Sequence, residues 1–338
     1  MLRLYDGSRE SGRREYRRRV CRERPRLPAL MRVAFAGTPD FAATILRGIL
    51  NSAHEVGLAV SQPDTRRGRG RKKSSPPVAD LAREAGLPLL QPQRASEAAG
   101  KISEHDALVV AAYGQILRPD TLYAARHDAW NVHASLLPKY RGAAPIERAI
   151  MDGERETGVT MMKMDEGLDT GDIALQKKTP IPPDMTGGEL AETLAELGAE
   201  AIVEVLSLIE SGSLNLIHQD SLNATYASKV SGEDLVLRWG CGVEELHDLV
   251  RALSPGIGAR AYHPGYDGPV KVWRSRVVDG GRFDLSPGEI HVENGEIFVG
   301  CGEGVLEVLE LQAPGGKRLA AREFLLGREF GGTLREFE

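Results

Sequence analysis

Residues 32–36, 56–60 and 107–112 are short runs dominated by small and branched apolar side chains, with no polar residue alternating through them. A strand wet on one face alternates apolar and polar residues. A run without alternation is buried on both faces, which calls for a parallel sheet with helices above and below it. The segments between fit that demand. The first run turns through Gly37-Thr38-Pro39-Asp40 into helical spacing over 41–50, and 78–85 reads as a helix before a short strand at 87–90. A further strand is expected at 129–133 and a weakly alternating one at 158–164. A long amphipathic helix is expected at 189–209, with Leu190, Leu194, Leu197, Ile202, Val205 and Leu206 on one face. The expected fold class is α/β, an open and mostly parallel Rossmann-like sheet.

Past residue 210 the pattern changes. Residues 211–231 are polar and read as a linker, and 243–253 reads as one helix. From 259 onward, short strands at 270–273, 288–292, 297–299 and 306–311 are separated by Gly and Pro, as in a small OB-like β-barrel. The expected layout is a leader (1–30), an α/β domain (31–210), a linker (211–231) and a C-terminal barrel (232–330). The leader holds ten arginines against four acids, Asp6, Glu10, Glu15 and Glu23, and has no apolar core, so it is not a secretory signal. It reads either as an RNA-contacting arm or, the reading we favour, as a disordered or untranslated stretch ahead of a start at Met31.

Several function classes drop out. No apolar run approaches the ~20 residues needed to span a bilayer, so a cytoplasmic protein without a membrane partner is expected. Cys21, Cys241 and Cys301 are far apart and form no CxxC pair, which argues against a disulfide framework or a zinc site. No His/Cys cluster has ligand spacing, so no metal is expected. The turn after the first run is AGTPDFAA rather than GxGxxG, which argues against a nicotinamide cofactor.

The densest polar segment is Trp130-Asn131-Val132-His133-Ala134-Ser135-Leu136-Leu137-Pro138. On a strand, Asn131 and His133 share a face and would converge at its C-terminal end, where open α/β sheets bind ligands. Taken alone the pair is weak, because single strand histidines are often structural. The second piece is the acidic turn Asp165-Glu166-Gly167-Leu168-Asp169-Thr170-Gly171-Asp172, which could also be a solvated loop. Together they suit transfer of a formyl group to an amine. An amide and an imidazole can stabilise the oxyanion of the tetrahedral adduct, and a carboxylate, Asp169, can orient the ring and relay protons. The amine itself attacks, so no nucleophilic side chain is needed.

Other segments carry two readings each. Tyr113 and Gly114, closing the third run, either line a ligand pocket or simply pack. Tyr140, Arg141, Gly142 and Ala143 to Pro145 follow the 130–138 segment and could shape the acceptor side, while Arg141 could equally pair with the acidic turn. Arg66, Arg67, Arg69, Arg71, Lys72 and Lys73 form a basic loop in an otherwise acidic protein of net charge -5, either solvated or phosphate-contacting, and we favour the second.

The stretches MRVAFAGTPDFAA (31–43), QPD…GRG (62–70), VVAAYGQIL (109–117), NVHASLLPKYRGAAPI (131–146) and TGVTMMKMDEGLDTGDI (157–173) closely resemble the folate-dependent formyltransferases, and among these the methionyl-tRNA formyltransferase family. The resemblance runs from Met31 to about Gly327. It implies 10-formyltetrahydrofolate as donor, the amino group of initiator Met-tRNA as acceptor and a monomeric enzyme of translation initiation. By the same resemblance Asn131, His133 and Asp169 match the catalytic three. Ser135, Leu136, Leu137 and Pro138 match the folate-contacting segment, with Tyr113 and Gly114 beside it. The basic loop, Arg69 in particular, matches the grip on the tRNA acceptor end, and the C-terminal barrel is implied to touch tRNA. Ala134 departs from a glycine common in relatives, adding only a methyl. Residues 229–338 hold more acids than bases, so any tRNA contact there has to be a local patch, with Arg260, Lys271, Arg274, Arg276, Lys317 and Arg318 as candidates. The rivals are a formyltransferase for sugar-nucleotide or ribonucleotide amines and a non-catalytic RNA-binding protein on the same scaffold.

Overall fold

The computed structural model describes residues 31–67, 72–278 and 281–335, so the 1–30 leader lies outside the described residues. Strands β1 (Arg32–Gly37), β2 (Glu55–Val60), β5 (Leu89–Leu90), β6 (Ala107–Ala111) and β7 (Ala129–His133) are parallel. β9 (Glu156–Lys163) pairs antiparallel with β7, and β10 (Ile173–Pro180) antiparallel with β9, giving the order β10-β9-β7-β6-β1-β2-β5. β3 (Thr65–Arg67) and β4 (Lys72–Ser74) form a separate hairpin. Chain order reverses between β1 and β6, and the site lies beyond the carboxyl ends there, as expected at such a switch point.

The unbroken apolar runs are explained by two cores. Val33 and Phe35 of β1 and Val109 of β6 face one core, while Ala34, Ala36, Leu108 and Val110 face the other. The first core is covered by α1 (Asp40–Leu50), α2 (Pro77–Glu84) and α6 (Gly187–Glu210). The second is covered by the short helices α3 (Ala99–Ile102) and α4 (Pro119–Leu122). α6 starts at a capping box in which the Glu189 N–H donates to Thr186 Oγ1 and the Thr186 N–H donates to Glu189 Oε2. It crosses β7 closely because Gly198 has no side chain. A Cβ there would come within 2.8 Å of Val132 Cγ1, so a mid-helix glycine, normally unfavourable, lets the helix press against β7. β10 was not foreseen, since its exposed outer face lacks an apolar signature.

The C-terminal unit has its own core, around Leu237, Trp239, Val250, Ile297, Leu306 and Phe324. Its strands are β12 (Ala259–Ala261), β13 (Val270–Val278), β14 (Glu289–Glu293), β15 (Glu296–Gly300), β16 (Val305–Gln312), β17 (Leu319–Ala320) and β18 (Gly332–Thr333). They pair antiparallel in the order β12-β13-β16-β15-β14-β18, with β17 on β16, a curled half-barrel rather than a closed one. α5 (Pro145–Met151) and α7 (Val243–Ala252) meet at the seam between the two units. There Arg148 makes a bidentate pair with Asp234, at 2.9 and 2.8 Å.

Residues 211–231, read from sequence as a linker, are no free tether. They run back along the catalytic sheet, where β11 (Tyr226–Ala227) pairs parallel with β8 (Arg141–Gly142). Among the described residues no helix is long and apolar enough to cross a membrane.

Candidate active site

Trp130 and Val132 of β7 point into the first core, which sends Asn131 and His133 to the opposite face at the strand's carboxyl end. Both are nearly buried, at 9% and 6% exposure. The acidic turn brings Asp169 to them: Asn131 Nδ2 donates to its Oδ1 at 3.4 Å, and its Oδ2 lies 3.8 Å from His133 Nδ1. The carboxamide, the imidazole and the carboxylate singled out in the sequence therefore meet in one place.

The orientation of the ring differs from the expectation. His133 Nε2 lies 2.9 Å from the Tyr140 carbonyl, which can only accept, so Nε2 carries the hydrogen. Tyr140, not Asp169, orients the imidazole. A neutral ring then faces Asp169 with the lone pair of Nδ1 and has no free N–H for an oxyanion. Asn131 has one, because a single hydrogen of its amide is spent on Asp169.

Asp169 is fixed by its surroundings. Its backbone sits in the left-handed region at φ +52°, as does that of Tyr140 at +61°. Non-glycine residues there are strained by about 1–3 kcal/mol and persist only where neighbours hold them. The Gly142 N–H donates to Asp169 Oδ2 at 2.8 Å, and Gln219, from the 211–231 segment, holds the turn's backbone. Gly142 itself has φ +121°, and a Cβ would lie 2.7 Å from the Ala227 carbonyl across β11, so glycine is required. Gln219 escaped sequence reasoning, and Tyr140 and Gly142 were read only as shaping the acceptor side, not as holding His133 and Asp169. The glycine beside Arg141 was a usable signal, but a lone glutamine in a polar stretch is none.

The Ser135–Pro138 segment is built from within. Ser135, fully buried, donates to the Lys139 carbonyl at 2.6 Å and accepts from Thr160 Oγ1 at 2.7 Å. Leu137 is buried against Met162 and Ile173. Ser135 and Leu137 thus shape the turn, while Leu136 and Pro138 stay partly exposed. Tyr113 packs its ring in the second core, where burial pushes its hydroxyl up to about 12. What it turns to the crevice is its carbonyl, which accepts from Thr38 Oγ1 at 2.8 Å and Gln62 Nε2 at 3.0 Å. Gly114 lines an open polar cleft of about 700 Å³ with Gln62, Arg94, Gln115, Ile116 and Arg118. Arg141 is buried on Gln219 Oε1, at 3.2 and 2.8 Å, rather than on a carboxylate of the acidic turn.

In the basic loop, Arg69 and Arg71 lie outside the described residues. The backbone register of β3 and β4 sets Arg66 opposite Lys73 and Arg67 opposite Lys72. Of the half-barrel's basic candidates, Arg276 is paired to Glu307 and Arg318 to Glu310. Lys271 donates to the Ile257 carbonyl at 2.6 Å and lies over the Trp273 ring. Among the described residues no group of His, Cys, Asp and Glu is placed to hold a metal ion.

Comparison with known proteins identifies the family. Residues 31–206 match the family described as formyl transferase, and residues 229–329 match the formyl transferase C-terminal domain. The chain is 67% identical over 305 residues to the methionyl-tRNA formyltransferase of Rubrobacter xylanophilus, covering 90% of this chain and all of that one. It is 44% identical to the enzyme of the same name from Methylobacillus flagellatus, over 88% of this chain and 96% of that one. Among solved structures, an N-formyltransferase from Helicobacter canadensis shares the fold, with a TM-score of 0.62 at 18% identity, over 85% of this chain and 99% of that one. Matched over both segments and closely similar to these relatives along nearly its whole length, the chain belongs to the formyl transferase family, and carries both the transferase domain and its C-terminal companion.

Proposed function

We propose that this site transfers a formyl group from a folate donor to the amino group of methionyl-tRNA. The observation that carries the reading is the convergence of Asn131, His133 and Asp169 in a chain alike, over nearly its whole length, to enzymes named for that reaction. The donor is 10-formyltetrahydrofolate, which supplies an activated one-carbon unit. The cleft beside Gly114 is within the range of small-molecule sites and offers polar groups and two arginines to an anionic ligand.

In the reaction, the amine nitrogen bonds to the formyl carbon and the bond from that carbon to the donor nitrogen breaks. One proton leaves the amine and one reaches the departing nitrogen. Asn131 Nδ2 donates to the formyl oxygen as charge builds there. His133, with Nε2–H held by Tyr140, takes the amine proton on Nδ1 and can then donate it onward. Asp169, 3.8 Å from Nδ1, stabilises the imidazolium that forms.

The acceptor is initiator tRNA. The run of six basic residues at 66–73 in an otherwise acidic chain supports a nucleic acid over a small amine, because a phosphate backbone would neutralise it. The reading implies a cytoplasmic enzyme acting as a monomer. The test is formyl transfer measured side by side on initiator Met-tRNA, elongator Met-tRNA, free methionine and an amino-sugar nucleotide. Initiator Met-tRNA is the expected best substrate, and preference for the sugar nucleotide would overturn the assignment.

A further inference from the structure

We infer that Gln219, from the segment between the two domains, is a positioning residue that sets Asp169 against His133. The inference rests on the formyl-transfer reading above. Gln219 is 2% exposed. Its Nε2 donates to the carbonyls of Asp169, at 2.9 Å, and of Gly171, at 2.7 Å. Its Oε1 accepts from Arg141 Nε and Nη2. Carbonyls only accept and a guanidinium only donates, so the amide has a single workable orientation. Two donors and two acceptor sites are all a carboxamide has, and each is used.

The contacts close a ring. Gln219 grips the backbone carbonyl of Asp169, the residue held at a left-handed φ of +52°. The carboxylate of Asp169 is gripped by the Gly142 N–H, Gly142 follows Arg141, and Arg141 returns to Gln219. One residue earlier, the Tyr140 carbonyl holds His133. The 3.8 Å between Asp169 Oδ2 and His133 Nδ1 is thus bounded on both sides by residues 140–142, and Gln219 is the side chain that ties the acidic turn to them. The nearest replacements in size or chemistry lose these bonds. Glutamate has no hydrogens to give the two carbonyls, asparagine is a methylene too short, and methionine fills the space without the bonds.

The test uses Gln219→Glu and Gln219→Met in the full chain. Gln219→Glu keeps an acceptor for Arg141 but sets a buried negative charge against the two carbonyls, so Gln219→Met, which removes the donation without adding charge, is the deciding variant. Both variants are expected to lose about 100-fold in kcat, as small misplacements of a reacting group do, with KM for Met-tRNA and donor within about threefold of the parent. Rates are normalised to folded protein by circular dichroism. A second readout needs no turnover: the 15N titration of the His133 imidazole, identified by its loss in His133→Ala, should move in both variants. Folded variants with parental kcat and an unmoved His133 titration would overturn the inference, as would a loss of rate that merely follows the unfolded fraction. A parent that fails to formylate Met-tRNA while the His133 titration still moves in the variants would sink the proposed reaction and leave the positioning standing.

Discussion

The two halves of the candidate active site are held in different ways. Asn131 and His133 ride on β7, a strand buried along its whole length, with α6 pressed close by way of Gly198. Their common direction follows from the two-residue period of a strand. Asp169 stands on a turn, in a left-handed conformation, and stays in place through Gly142, Asn131 and Gln219, which come from three separate segments. One half is set by local geometry backed by a core. The other is assembled from tertiary contacts, and its precision depends on all of them.

The largest effect should come from removing the groups in which the halves meet. Asp169→Asn and His133→Ala are each expected to lower kcat/KM by about 10³-fold or more with the fold intact. Near-parental kinetics in either would show that the halves do not cooperate. Asn131→Ala should cost about 10²-fold in kcat, the usual loss for one oxyanion donor. Gly142→Ala probes the assembled half alone. The new Cβ would press the Ala227 carbonyl at 2.7 Å, so we expect about 1–3 kcal/mol of destabilisation by denaturant melting together with a fall in kcat. A variant that is destabilised but fully active per folded molecule would separate the pairing of β8 and β11 from catalysis.

Smaller effects are expected away from the chemistry. Replacing Arg66, Arg67, Lys72 and Lys73 by Ala should weaken Met-tRNA binding and leave kcat unchanged. The dependence of binding on salt should flatten by about one log unit per log unit of salt for each phosphate that is no longer neutralised. A salt slope equal to the parent's would show the hairpin merely solvated. The smallest effect belongs to the domain seam. Arg148 holds the Asp234 carboxyl well below the usual carboxylate range. A depressed folded-state pKa contributes stability that is present above the ordinary carboxylate value and is lost as pH falls through the folded one. Asp234→Asn should therefore lower the unfolding free energy slightly at pH 7, by about 1 kcal/mol or less for a pair still partly exposed. The parent and the variant should converge only in strong acid. Convergence already near pH 5 would contradict the assignment.

The strand half was legible in the sequence because its rules are local. Apolar runs without alternation specify burial on both faces, and N-x-H on such a run has to converge at one end. The acidic turn was visible as composition, but its partners were not. A carbonyl at Tyr140 leaves no mark in a sequence, since every residue carries one. Gln219 is one polar residue among many in its stretch, and its burial depends on where the chain returns after α6. Tyr113 misleads for the converse reason: an aromatic beside a glycine suggests a pocket wall, yet its ring turns into the core. The exposed outer face of β10 likewise left it without a sequence signature.

The pairing of β11 with β8 bears on how such a protein can be taken apart. The polypeptide leaves the sheet at the end of α6, then doubles back to hydrogen-bond Arg141 and Ala143 before it reaches the half-barrel. A chain severed after residue 210 would keep every strand of the seven-stranded sheet and lose the clasp around its reactive edge. On the proposed reading, the seven-stranded sheet and the piece that reacts do not coincide, because the contacts around Asp169 reach out to Gln219 and Ala227.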